Sequence, residues 1–129
     1  MIGLDTGFFV ELLKGNKTAT ELWRKIIDGE EASMSCLSIF ELKRLALKGL
    51  MDSKAVDTVI EASYAICQVI WLDHKEPLLS GAKLSSGLGI PAVDALILAS
   101  LLMSGAQTII STDSHLVGYK KKGVVIQKP

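Results

Sequence analysis

The chain has 129 residues, enough for one domain, residues 1–129, that buries roughly two thirds of the surface its unfolded form would expose. Lysine and arginine number 14 and so do the acidic residues, so no net charge steers the protein towards nucleic acid, and any polyanion binding must come from local patches. Apolar residues make up 49% and the mean hydropathy is positive, more than one small core needs, which points to a protein partner or a homodimer.

Met1 to Leu4 reads as a strand buried on both faces, after which Thr6 can cap a helix through Phe8, Phe9, Leu12 and Leu13 that ends near Gly15. A second helix fits Lys17 to Ile27, with Leu22, Trp23, Ile26 and Ile27 on one stripe and Gly29 as its stop. Ala32 to Ser35 can be a short strand. Ser38 to Glu41 has the Ser-x-x-Glu form of a capping box and opens a helix through Leu47. Asp52 starts another, which runs through Val56, Val59, Ile60 and Ile66, and Val69 to Leu72 reads as a strand.

Asp73 and Glu76, with Pro77 in the first turn, predict a helix through Leu84 towards Gly87. Pro91 begins the next, which is apolar nearly all round through Met103, closes at Gly105 and fits a dimer contact or a hidden partner. Thr108 to Ile110 is a strand, a short helix follows Ser114, and Val124 to Ile126 is the last strand. Strands and helices alternate throughout without a repeat or a linker. That order predicts an α/β fold: a parallel sheet of about five strands covered by helices on both faces.

Cys36 and Cys67 sit in apolar stretches without ligand-like spacing, which suits unpaired thiols in a reducing cytosol. The chain opens without the pattern of a secretion signal, and the uncharged stretch Ala95 to Thr112 is broken by Ser100, Ser104, Gly105, Gln107 and Thr108. A cytoplasmic protein with no membrane span is expected.

The chemistry lies in the acids. Ligands of an open parallel sheet gather at the carboxyl ends of its strands. Asp5 lies at such an end, directly after Met1 to Leu4, and Asp113 follows the strand Thr108 to Ile110. Asp94 falls in the first turn of the helix begun by Pro91, and Glu41 in that of the helix begun by Ser38, so four acids can converge. Each has a plain structural explanation as a helix cap or dipole partner. Asp94 fits that explanation least, because a lone carboxylate on so apolar a helix must face a cation or a polar cleft. Four crowded carboxylates repel one another, and a hard divalent cation removes the conflict; Mg2+ or Mn2+ prefers oxygen ligands and can activate water against a phosphoryl group.

In four places the sequence resembles the PIN-domain ribonucleases, and among them the short VapC-like toxins of toxin–antitoxin pairs. The segments are I-G-L-D-T-G-F-F-V around Asp5, S-I-F-E-L at Glu41, P-A-V-D-A-L-I-L-A at Asp94 and I-I-S-T-D-S-H-L at Asp113, in the order and at the spacings of that family. The resemblance implies a three-layer α/β/α fold, Mg2+- or Mn2+-dependent endoribonuclease activity on RNA, a homodimer and a cognate antitoxin over the cleft. Asp5, Glu41, Asp94 and Asp113 match the family's catalytic, metal-holding acids. Thr6 and Ser111 match its supporting hydroxyl residues. The chain departs from the pattern where an Asp-Phe pair often stands and it has His115-Leu116, which leaves His115 as a ligand, a phosphate contact or a surface residue.

Lys14, Lys43, Arg44 and Lys48 lie just beyond the acidic helix starts and can meet RNA phosphates; Arg44 is favoured because a guanidinium offers two donors at once. The run Lys120 to Lys122 reads as a solvated face, and His74 as structural without an evident partner. Three other readings compete. Asp5-Thr6-Gly7 has the letters of an aspartic protease, which the helical periodicity opposes. A non-catalytic PIN-like module would bind RNA or protein without metal. A phosphoacceptor or phosphatase with Asp5 as nucleophile wants a neighbouring acid and a late lysine that are poorly placed here.

Overall fold

A computed structural model describes residues 1–119, 121 and 123–129. Five strands, β1 (Ile2–Leu4), β2 (Ala32–Ser35), β3 (Gln68–Ile70), β4 (Thr108–Ile110) and β5 (Val125–Gln127), form one sheet in the order β3-β2-β1-β4-β5, and every pairing is parallel. The helices are α1 (Thr6–Leu13), α2 (Lys17–Ile27), α3 (Cys36–Leu47), α4 (Ser53–Ile66), α5 (Lys75–Leu88) and α6 (Ala92–Met103), with a 3₁₀ helix at Ser114–Gly118. The expected three-layer α/β/α architecture is the observed one. Of the basic run Lys120 to Lys122, Lys120 and Lys122 lie outside the described residues.

Alternation along the strands assigns the two cores. Leu4, Met34 and Ile110 point to one face, where they join Phe8 and Phe9 of α1, Ala19 and Ile26 of α2, Leu42 of α3 and Val56 of α4. Phe8, Phe9 and Trp23 form an aromatic triad with centroids 5.3 to 6.2 Å apart, fixing α1 on α2. Ile109 points the other way, to Ala95, Ile97, Leu98 and Leu101 of α6. Gly3 lets α6 lie close over β1: a Cβ there would sit 3.1 Å from that of Ala106 and 3.2 Å from that of Leu101. Ser33 donates to Ser104 Oγ at 2.7 Å, since the Ser104 hydroxyl itself donates to the Leu101 carbonyl.

The apolar circumference of α6 is used inside the molecule. Ala95, Ile97, Leu98, Ala99 and Leu101 are buried against the sheet and α5, so most of the apolar surface that fitted a dimer contact or a hidden partner is covered within the molecule. Only the ends of α6, Val93 and Met103, are exposed among its large apolar residues; other exposed apolar side chains include Phe40, Leu47 and Leu50 and, on α5, Leu78, Leu79 and Leu88. No helix among the described residues is long and apolar enough to cross a membrane. Both cysteines are free, and burial pushes the Cys67 thiol up to about 11.

Three caps differ from expectation. Asp5, not Thr6, caps α1, because the extended Asp5 backbone turns its Oδ1 onto the Thr6 N–H at 2.7 Å. Ser35, not Ser38, caps α3: β2 runs directly into the helix, and the Ser35 hydroxyl accepts from the Leu37 N–H at 3.2 Å. There is accordingly no Ser38–Glu41 capping box. His74 caps α5 without a side-chain bond, and Asp73 instead holds His74 Nδ1 at 2.6 Å, so His74 does have a partner.

Candidate active site

The central strand β1 is flanked by β2 on one side and β4 on the other, so the chain reverses direction across the sheet there and leaves a crevice at the carboxyl ends. Asp5 stands at its floor, 6% exposed. Its Oδ1 accepts from the Thr6 N–H, and its Oδ2 accepts from the Ser111 hydroxyl at 2.5 Å. Burial raises the pKa of Asp5, as do Asp113 and Glu41, while the Ser111 and Thr6 donors pull it back. Gly7 makes this floor possible. A Cβ at Gly7 would overlap the Thr112 hydroxyl and lie 3.1 Å from the Thr112 amide nitrogen, so only glycine lets α1 start against the segment leaving β4.

Glu41 reaches the crevice from the second turn of α3. Thr6 Oγ1 donates to its Oε1 at 2.6 Å, and with that hydrogen used Thr6 Oγ1 accepts from the Ser38 hydroxyl at 2.8 Å. Ser38 is fully buried and belongs to this chain of hydroxyls. Its place one helical turn before Glu41 was the sequence signal for that role, read there as a cap.

Asp94 enters from the first turn of α6 and meets Asp113, which follows β4 and caps the 3₁₀ helix. Burial raises the Asp94 carboxyl, and its hydrogen bond with Asp113 and the charges of Asp113, Asp5 and Glu41 lift it further, to about 7. Burial works upwards on Asp113 too, but the His115 N–H, the bond to Asp94 and the His115 ring outweigh it and hold that carboxyl below its ordinary value. The bond between the two acids thus favours the proton on Asp94. The His115 N–H lies 2.8 Å and its Nδ1 2.9 Å from Asp113 Oδ1. Ser111 ties the two sides together, since its hydroxyl also accepts from the Asp113 N–H at 3.0 Å.

The structure therefore brings Asp5, Glu41, Asp94 and Asp113 to one crevice, with Thr6 and Ser111 bonded among them. The basic candidates separate. Arg44 and Lys48 line a cavity of about 100 Å³ with Thr6 and Glu41. Lys43 turns away and pairs with Asp57 of α4 at 3.1 Å, and Lys14 caps the far end of α1. An all-oxygen donor set whose carboxylates crowd until one is protonated fits a hard divalent cation.

A search of curated proteins gave no match. Among solved structures, a chain of the promoter-bound VapBC2 complex of Rickettsia felis is similar with a TM-score of 0.76 at 14% identity, covering 99% of this chain and 98% of that one. A toxin–antitoxin complex from Klebsiella pneumoniae gives 0.74 at 17%, covering 97% and 96%. DNA-bound VapBC from Salmonella typhimurium gives 0.71 at 17%, covering 98% and 96%. A family model described as PIN domain matches residues 2–122. With that match spanning four of the five strands and all four acids, the chain belongs to the PIN domain family.

Proposed function

We propose that this protein is a metal-dependent endoribonuclease that hydrolyses RNA phosphodiester bonds and serves as the toxin of a toxin–antitoxin pair. The observation that carries the reading is the crevice itself, where Asp94, raised to about 7, faces Asp113 with Asp5 and Glu41 close enough to add to the repulsion. Asp5, Glu41, Asp94 and Asp113 would hold Mg2+ or Mn2+. Such an ion supplies Lewis acidity, making bound water a better nucleophile and offsetting charge on the phosphoryl group.

The protein's own groups have separate tasks. Ser111 and the Thr6 N–H fix both oxygens of Asp5, so this carboxylate is oriented before anything binds. Thr6 holds one oxygen of Glu41 and leaves the other free to orient water or take its proton. Arg44, beside Glu41 in the adjoining cavity, offers a two-donor grip on an RNA phosphate, whereas Lys43 is engaged by Asp57.

The likeness to chains from toxin–antitoxin complexes supports a cognate antitoxin as partner. The exposed apolar groups Phe40, Leu47 and Leu50, and Leu78, Leu79 and Leu88, provide surface for it and for a second copy in a homodimer. Free cysteines accord with a cytoplasmic protein.

The test is cleavage of structured and single-stranded RNA by the purified chain with Mg2+ or Mn2+, against Asp94→Asn. Metal-dependent cleavage that the variant loses supports the proposal. Intact RNA under every metal condition, with RNA or protein still bound, would leave a non-catalytic binding module.

A further inference from the structure

His115 stands where this sequence departs from its family's acidic pattern, and its surroundings are chemically specific. Asp113 caps the 3₁₀ helix, and the tight turn sets a ring nitrogen of His115 beside the carboxylate oxygen that makes the cap. His115 Nδ1 lies 2.9 Å from Asp113 Oδ1. One ligand atom each from Asp94, Asp113 and His115 lies within 4.8 Å of the others. Neighbouring ligands around an octahedral ion with bonds of about 2.1 Å are roughly 3 Å apart, so the imidazole and carboxylate already have the spacing of two such ligands. The Asp113 oxygen has a donor in the His115 N–H whether or not the ring contributes one. Releasing Nδ1 to a cation therefore leaves that carboxylate anchored.

We propose that His115 is a nitrogen ligand of the metal site and that it shifts the site's preference from Mg2+ towards Mn2+ and later first-row ions. This rests on the metal-site reading above and adds a ligand that the four acids do not include. The physical reason is donor softness. Mg2+ takes hard oxygen ligands and sheds water reluctantly, whereas imidazole is a good ligand for the transition ions. A site of carboxylates alone gives Mn2+ little advantage; one nitrogen gives it more.

The experiment is Mn2+ titration of the full chain, stripped of metal, read by electron paramagnetic resonance with pulsed detection of nitrogen-14 coupling. His115→Ala and His115→Asp are compared with the parent, with Mg2+ as competitor. His115 is 56% exposed, so both variants are expected to keep the parent's circular dichroism. The parent should show nitrogen coupling and both variants none. His115→Ala should lose Mn2+ affinity by about 10-fold or more while Mg2+ affinity changes by less than about 3-fold. His115→Asp should regain affinity without the nitrogen signal and with the ratio moved towards Mg2+. Affinity alone does not decide, because a histidine that only orients Asp113 also costs about 10- to 100-fold when removed. Bound Mn2+ without nitrogen coupling in the parent, or coupling that survives in His115→Ala, overturns the ligand role and leaves the nuclease reading standing. Failure of the parent to bind Mn2+ overturns the ligand role, and failure to bind Mg2+ as well overturns both.

Discussion

On the β1 side of the crevice Asp5 and Glu41 meet hydrogen-bond donors: the Thr6 N–H and Ser111 for one, Thr6 with Ser38 behind it for the other. On the α6 side Asp94 meets a second carboxylate, Asp113; the His115 N–H and ring relieve Asp113, whereas Asp94 has no such donor beyond its bond to Asp113. The first side is organised by the protein alone. The second keeps a like-charge contact that the fold leaves partly unrelieved, the kind of place where a protein gives up stability at a functional site.

The largest effect should come from Asp94→Asn, which breaks the open side. RNA cleavage should fall by about 10²- to 10³-fold or more, the scale of losing a preorganised electrostatic group. Melting temperature should hold or rise, because the amide removes a like charge from Asp113, Asp5 and Glu41. A melting temperature lowered by several degrees would mean that the α6 side is structural after all.

Gly7→Ala attacks the organised side through packing. The methyl group overlaps the Thr112 hydroxyl, and the backbone behind it cannot yield easily. A loss towards the upper end of about 1–3 kcal/mol is expected in urea denaturation. Ser111→Ala should cost somewhat less, about 1–2 kcal/mol, by stripping a buried carboxylate of one donor. The Asp5 pKa should then rise further, since the Ser111 bond is the main force lowering it; a carboxyl carbon NMR titration reads that shift.

The smallest effect is in the pH dependence of the metal-free protein. Asp94 is pushed up to about 7 in the folded chain, against 3.8 for an ordinary aspartate, so between those limits the folded state holds the extra proton. Stability from this group is full below about 4 and is lost as pH rises through 7. Asp5 is raised too and acts in the same direction. Asp113, lowered, acts oppositely and only at the acidic end. Urea midpoints with chelator present should therefore fall between pH 5 and 7.5. Asp94→Asn should flatten that slope, and so should saturating Mg2+. A slope unchanged by the variant would place the proton elsewhere.

Element order was plainly legible, because alternation of short apolar runs with amphipathic stretches reflects local periodicity that a parallel α/β sheet must obey. The strand ends moved by a residue or two, and three caps moved further. At Ser38 the pattern Ser-x-x-Glu is real, but β2 enters α3 without a loop and Ser35 reaches the orphan N–H first. At α6 the apolar circumference was read as an interface, yet contact with both sheet and α5 consumes it.

The sequence by itself determined which residue types would stand at the carboxyl ends of the strands: Asp5 after β1 and Asp113 after β4, with Asp94 and Glu41 near helix starts. These follow from positions along the chain, and chain order is all that local periodicity encodes. Which acid pairs with which partner was decided only in three dimensions. Ser111 lies far from Asp5 in sequence, as Thr6 does from Glu41, and they meet because β4 and α3 dock on opposite sides of the same central strand. Those meetings set donors against Asp5 and Glu41 and leave Asp94 facing a carboxylate, a distinction of distance and desolvation that no one-dimensional pattern carries.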